Sequence, residues 1–158
     1  MIKPRGNFDS PVPPSDNQMK NFVMEDVLLT QSKNGRDEFV VKAARVNSGI
    51  HDDVLELAEI EAQLVDSEGR STLLTGGEAF YHNGQQIFTI IDNVWLQTSD
   101  GREMKTEALR YLTKFRKIKT AEDVWLDDDE VQVTGGNLFY DLNNGRFRVG
   151  GGVKVDLY

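Results

Sequence analysis

The chain contains no cysteine. It can form no disulfide, no thiolate zinc site and no thiol nucleophile, and it suits a reducing or an oxidising compartment alike. Proline is nearly as scarce: Pro4, Pro11, Pro13 and Pro14 stand near the start and none follows. Proline removes a ladder donor and is excluded from central strands. Its absence leaves residues 22–158 free to form nearly continuous sheet, while residues 1–21 read as a flexible, proline-rich tail. Basic residues are outnumbered, 18 Lys and Arg against 26 Asp and Glu, for a formal charge of −8. That balance argues against nucleic acid as a partner, because backbone binding needs a basic face. It argues equally against general attraction to anionic lipid. No apolar run reaches the roughly 20 residues that span a bilayer. Met1-Ile2-Lys3-Pro4-Arg5 is not followed by the apolar stretch of a signal peptide. The expectation is a cytosolic protein, or a domain separated from its membrane anchor.

What the chain does have is a line written three times. Glu78-Ala79-Phe80-Tyr81 leads to Asp92-Asn93-Val94-Trp95-Leu96. Glu107-Ala108-Leu109-Arg110-Tyr111 leads to Glu122-Asp123-Val124-Trp125-Leu126, and Asn137-Leu138-Phe139-Tyr140 leads to Gly152-Val153-Lys154-Val155. The period is roughly 30 residues, as in repeat architectures. Each copy has room for two strands and a turn. A lone hairpin cannot bury its own face, so the copies predict stacked antiparallel hairpins sharing one apolar seam.

The alternation supports this reading. Val27 and Leu29, then Phe39, Val41 and Ala43, recur at period two. Asn34-Gly35, His82-Asn83-Gly84, Asp100-Gly101 and Asn144-Gly145 supply the positive φ of tight turns, and Asp66-Ser67-Glu68-Gly69 marks another. Val54–Val65 is rich in helix formers, which keeps a helix as an alternative. We read it as strand: Leu55 and Leu57 share one phase, and Ala58, Ile60, Ala62 and Leu64 share the other. The switch predicts a β-bulge near Leu57-Ala58, and a second is expected near Asp92-Asn93. The predicted inner face holds Phe88, Ile90, Val94 and Leu96, with Met104, Thr106 and Ala108. It continues through Ile118, Thr120, Val124, Leu126, Val131, Val133, Leu138, Tyr140, Phe147 and Val149. Thr89, Ile91 and Trp95 are expected outside. The small inner residues Ala43, Ala62, Ala79 and Ala108 hint at a cavity, against a fully packed core.

Reactive groups are few. His51, beside Asp52-Asp53 and near Ser48, is the nearest approach to a triad, but neighbours in sequence do not make one. His82 sits in an apparent turn. Asp127-Asp128-Asp129-Glu130 lacks the spacing of a calcium loop and reads as a solvated turn. The glycine pairs Gly76-Gly77 and Gly135-Gly136, with Gly150-Gly151-Gly152, lack the lysine of a phosphate loop and read as bends. Trp95 and Trp125 occupy equivalent repeat positions, where two stacked rings would suit packing, a sugar or a partner. No catalysis, cofactor or metal is expected.

Val94 to Arg102, Thr106-Glu107-Ala108-Leu109-Arg110-Tyr111, Ile118-Lys119-Thr120 and Val124 together resemble the LptC family. So do Val133-Thr134-Gly135-Gly136-Asn137-Leu138, Tyr140-Asp141 and Phe147-Arg148-Val149, and more loosely Met24 to Val27 with Phe39 to Ala43. The resemblance covers about Phe22 to Val155. It implies an all-β jellyroll, two twisted, V-shaped sheets open along one seam. It implies periplasmic lipopolysaccharide transport, with acyl chains inside, contacting Val27, Leu29, Phe39, Val41, Ile60 and Leu64 as well as the inner residues above. It also implies docking of LptA at a C-terminal edge formed by Arg146, Phe147, Arg148, Val149, Val153 and Val155. The LptB/LptF/LptG transporter would meet an N-terminal edge near Phe22–Thr30. The family's membrane helix has no counterpart here, so the expected setting is a periplasmic domain whose inner-membrane anchor lies outside this chain. Alternatives are a pure assembly scaffold pairing through sheet edges, with a homodimer among its forms, or a sugar-binding jellyroll.

Overall fold

The computed structural model describes residues 2–4, 23–48, 53–65 and 68–158. His51, the turn opening at Asp66-Ser67 and most of the tail lie outside these residues. Alternating sequence gives long strands: β2 (Val23–Lys33), β3 (Arg36–Ser48), β4 (Val54–Val65), β5 (Ser71–His82), β6 (Ile87–Thr98) and β7 (Glu103–Leu112). They form an antiparallel meander in chain order. Val54–Val65 is strand, as its alternation requires. Within the stretch expected as a tail, β1 (Ile2–Pro4) pairs with the edge of β2, Ile2 opposite Gln31.

Beyond β7 each long strand is interrupted midway. β8 (Lys117–Thr120) is followed by β9 (Val124–Asp127), β10 (Val131–Gly135) by β11 (Asn137–Asp141), and β12 (Arg146–Gly150) by β13 (Lys154–Leu157). One half of β7 pairs with β8, then β11 and β12. The other half pairs with β9, then β10 and β13. The molecule is thus one continuous sheet folded along a crease into two leaves. The two expected sheets of the jellyroll are these leaves.

The crease is written into the backbone. Asp26, Glu59, Asp92 and Asn93 have positive φ, and they fall on one line across paired strands. Register shifts between Thr75 and Glu78, and between Ile91 and Val94, lie on the same line. Crossing it reverses which side-chain parity faces inward on β4, where Leu57 and Ile60 are both buried, and on β7, where Thr106 and Leu109 are; on β6 two residues make the bend, and Ile90 and Val94 keep one parity. The first bend centres on Glu59, one residue past the expected Leu57-Ala58 switch, and the second falls at Asp92-Asn93. Ala108 does not continue the inner face as expected. The shift sets it opposite Ile91 and turns Leu109 and Tyr111 inward instead.

Glycine is needed where the leaves converge at the crease. A Cβ on Gly135 would lie 2.5 Å from Val149 Cγ1 and 2.7 Å from the Gly150 carbonyl oxygen. Main chain cannot yield as a flexible side chain can. Gly135→Ala is therefore expected to cost about 1–3 kcal/mol, measurable as a lower urea midpoint.

Candidate functional site

The first leaf carries one inner row in strict register: Leu29, Val41, Ala62, Leu74, Leu96, Met104, Leu126, Val133 and Val155. The second carries Leu55, Tyr81, Phe88, Tyr111, Ile118, Tyr140 and Phe147. The rows face each other across the V. Phe39 of the first leaf meets Phe88 and Tyr111 of the second edge-on, with ring centroids 5.2 and 5.1 Å apart. Such edge-on pairs add to the apolar burial.

The expected interior residues come together. Val27, Leu29, Phe39, Val41, Ile60, Leu64, Phe88, Ile90, Val94, Leu96, Met104, Ile118, Val124, Leu126, Leu138 and Tyr140 are buried in one core. Val133, Phe147 and Val149 are half-buried against it. Leu74, Tyr81, Leu109, Tyr111 and Leu142 belong to the same core without having been singled out as inner residues. The repeat held the signal for two of them, because Tyr81 and Tyr111 are repeat partners of Tyr140. Ala43, Ala62 and Ala79 are buried, and the clefts lie elsewhere.

Closure fades toward the C-terminal end. Leu96, Leu126 and Val155 are repeat equivalents in the same inner row, and they are 0%, 9% and 52% exposed. Among the described residues β13 has β10 as its only strand partner, and Val153, Val155 and Leu157 are exposed. A cleft of about 430 Å³ opens at this end, lined by Leu126, Val131, Val133 and Phe147, with Arg102 and Arg146 at its rim. Phe147, on its wall, stacks on Tyr140 with ring centroids 4.1 Å apart. Arg102 donates to the Gly145 carbonyl at 3.0 Å and lies 4.7 Å from the Phe147 ring centroid. Asp100 holds Arg102 in turn at 3.1 Å, and its carboxyl sits below the usual range, first through the Thr98 hydroxyl and then through Arg102.

The expected docking residues divide between the leaves. Arg146, Phe147, Arg148 and Val149 lie on β12, whose only strand partner among the described residues is β11, and Val155 lies on β13. Val153 lies in the bend between them. At the other edge, β1 covers Leu29 to Gln31 of β2.

The remaining candidates have structural roles. His82 ends β5, paired with Val54 and Ile87, rather than sitting in a turn. The acidic run is a turn capped by its own carboxylates: Asp127 accepts from the Asp129 amide, and Asp128 from those of Glu130 and Val131. No group of metal ligands occurs among the described residues. Trp95 and Trp125 face out but do not stack, because Lys105 stands between them in the cross-strand row. Its amine lies 5.0 Å over the Trp125 ring, and Trp95 donates to Glu103 at 3.1 Å.

A folded sheet with an apolar inner face and exposed edges suits the carrier and adaptor class of protein. The profile described as lipopolysaccharide-assembly, LptC-related, matches residues 3–158, and the chain belongs to that family. It is a periplasmic component of lipopolysaccharide transport, not an enzyme. No curated protein matches the chain. A similar solved structure is LptH, the LptA-homologous periplasmic component of the conserved lipopolysaccharide transport device from Pseudomonas aeruginosa. It is 9% identical, with a TM-score of 0.44 over 100% of this chain and 95% of that one. The assignment rests on the family match and not on that likeness. No helix among the described residues is long and apolar enough to cross a membrane.

The fading closure gives a direct stability test. Leu96→Ala should cost about 2–5 kcal/mol, as for a sealed core leucine. Its repeat equivalent Val155→Ala should change stability by less than about 0.5 kcal/mol. Urea unfolding of both variants reads the difference.

Proposed function

We propose that the seam carries the acyl chains of lipopolysaccharide while the head group stays in water. The observation that carries this reading is the graded exposure of Leu96, Leu126 and Val155 along one inner row. It describes a continuous apolar track, sealed through most of the sheet and uncovered at one end. Each methylene transferred from water contributes about 0.8 kcal/mol, so several chains bind without any reactive group. The uncovered end is the side from which lipid passes to LptA. Strand addition on β12 and β13 suits that docking, since each offers an unpaired edge among the described residues. The transporter meets the opposite edge at Val23 to Leu28, which β1 leaves uncovered.

A pure scaffold would dock through the same edges without admitting lipid. Photocrosslinking separates the two, with a probe placed in turn at Phe88, Val94, Val133 and, facing outward, Trp95. Adducts to lipopolysaccharide are expected at Phe88, Val94 and Val133 and not at Trp95. Docking to LptA with no adducts at any of them would establish the scaffold instead, and adducts at Trp95 alone would favour the sugar-binding reading. A charge tests the track without gutting the core, because Val133 is only half-buried. Val133→Asp should lower adducts at Val94 about tenfold or more, given the cost of an unpaired charge against acyl chains.

A further inference from the structure

We propose that Arg116 is a latch across the seam, and that the leaves must part at this residue for lipid to move along the track. This rests on the acyl-chain reading above. An amphiphile whose head remains in water can slide along an apolar channel only through a slit open along its side. Arg116 stands across that slit. Its backbone belongs to the second leaf, where its amide donates to the Leu112 carbonyl at 2.8 Å and its carbonyl accepts from the Leu142 amide at 3.0 Å. The adjoining turn is held by the Thr113 hydroxyl on the Gln86 carbonyl at 2.9 Å. Its side chain reaches the first leaf, donating to Glu38 Oε1 at 2.9 Å and to the Val65 carbonyl. Glu38 precedes Phe39, the residue that meets Phe88 and Tyr111 between the leaves. The latch therefore closes over the aromatic contact that seals the interior.

The device is also poised to open. The Arg116 Nε is buried without a hydrogen-bond partner, so the closed state leaves one donor unsatisfied. Both backbones are held in their own ladders, so the parting falls on the guanidinium contacts. The Arg102 contact to Gly145 also crosses the slit, but at the uncovered end.

The chain's lack of cysteine makes the test specific. In the full chain, Glu38→Cys with Arg116→Cys is joined by a short, reducible dithiol-reactive linker, and lipopolysaccharide adducts are scored at Phe88 and Val133. Stapling should cut adducts at Phe88 about tenfold or more while sparing Val133, and reduction should restore them, as expected for a block comparable to a lost charge-assisted contact. Arg116→Gln should speed loading at Phe88 several-fold, and the swap Glu38→Arg with Arg116→Glu should return it to the unmodified rate. Equal loading of stapled and reduced protein overturns the latch alone. So does loss at both positions, or an unchanged rate in Arg116→Gln. Absence of adducts in the unmodified chain overturns the acyl-chain reading and the latch together.

Discussion

Everything in this molecule depends on one requirement: a single sheet has to bury its inner face against itself. A sheet this long cannot do so while staying flat or merely twisting. It must fold, and every long strand must change direction on the same line. Asp26, Glu59, Asp92 and Asn93 adopt positive φ there, at about 1–2 kcal/mol each. The return is larger. Each Leu, Val or Phe sealed between the leaves contributes about 1.5–3 kcal/mol, and every strand supplies several on both sides of the bend. The apolar face must stay inward across the crease, by a parity switch or, on β6, by the two-residue bend at Asp92-Asn93, because otherwise one half of each strand would turn its apolar residues to water. The glycines at Gly76 and Gly135 serve the same line, where neighbouring atoms leave no room for a side chain.

Much of this was legible in the sequence. Period-two alternation located the strands, the Asn-Gly and Asp-Gly pairs located turns, and the phase break near Leu57 and the bulge expected at Asp92-Asn93 marked two points on the crease. What alternation could not show is that those points lie on one line, because that depends on register between strands. Ala108 was misplaced for this reason. In isolation it continues the phase of Met104 and Thr106, and only the shift opposite Ile91 turns Leu109 inward. The interrupted strands after β7 were hidden too, since Gly136 and Gly151-Gly152 read as ordinary bends. β1 was hidden by Pro4, which suits an edge strand as well as a tail. Arg116 left no signal, because its partners at Glu38 and Val65 are far away in sequence.

The candidate site was legible as a composition but not as a shape. The inner stripe could be listed from alternation, and the residues named from it do meet in one core. The graded exposure could not be listed, because it arises from how the repeats are stacked. Copies one and two find a facing leaf. The third copy places Val153 and Val155 in the equivalent positions with no cover beyond β12 and β13. One motif is core in the middle of the stack and surface at its end. The ends of the track therefore differ even though the repeats that build it are alike.

On the acyl-chain reading proposed above, that arrangement also accounts for a packed interior serving a ligand that has to leave. The leaves already fill the seam with their own side chains, so an acyl chain gains only the difference between its contacts and the leaf–leaf contacts it displaces. Full burial of several chains in an empty cavity would hold them too tightly to pass on. Competition with Phe39, Phe88 and Tyr111 lowers the net gain, and the uncovered row at Val133 and Val155 lowers the cost of departure at one end. Direction still has to come from an energised partner, because a passive track has the same free energies whichever way it is traversed. On that reading, what the fold supplies is a surface on which binding and release remain closely balanced.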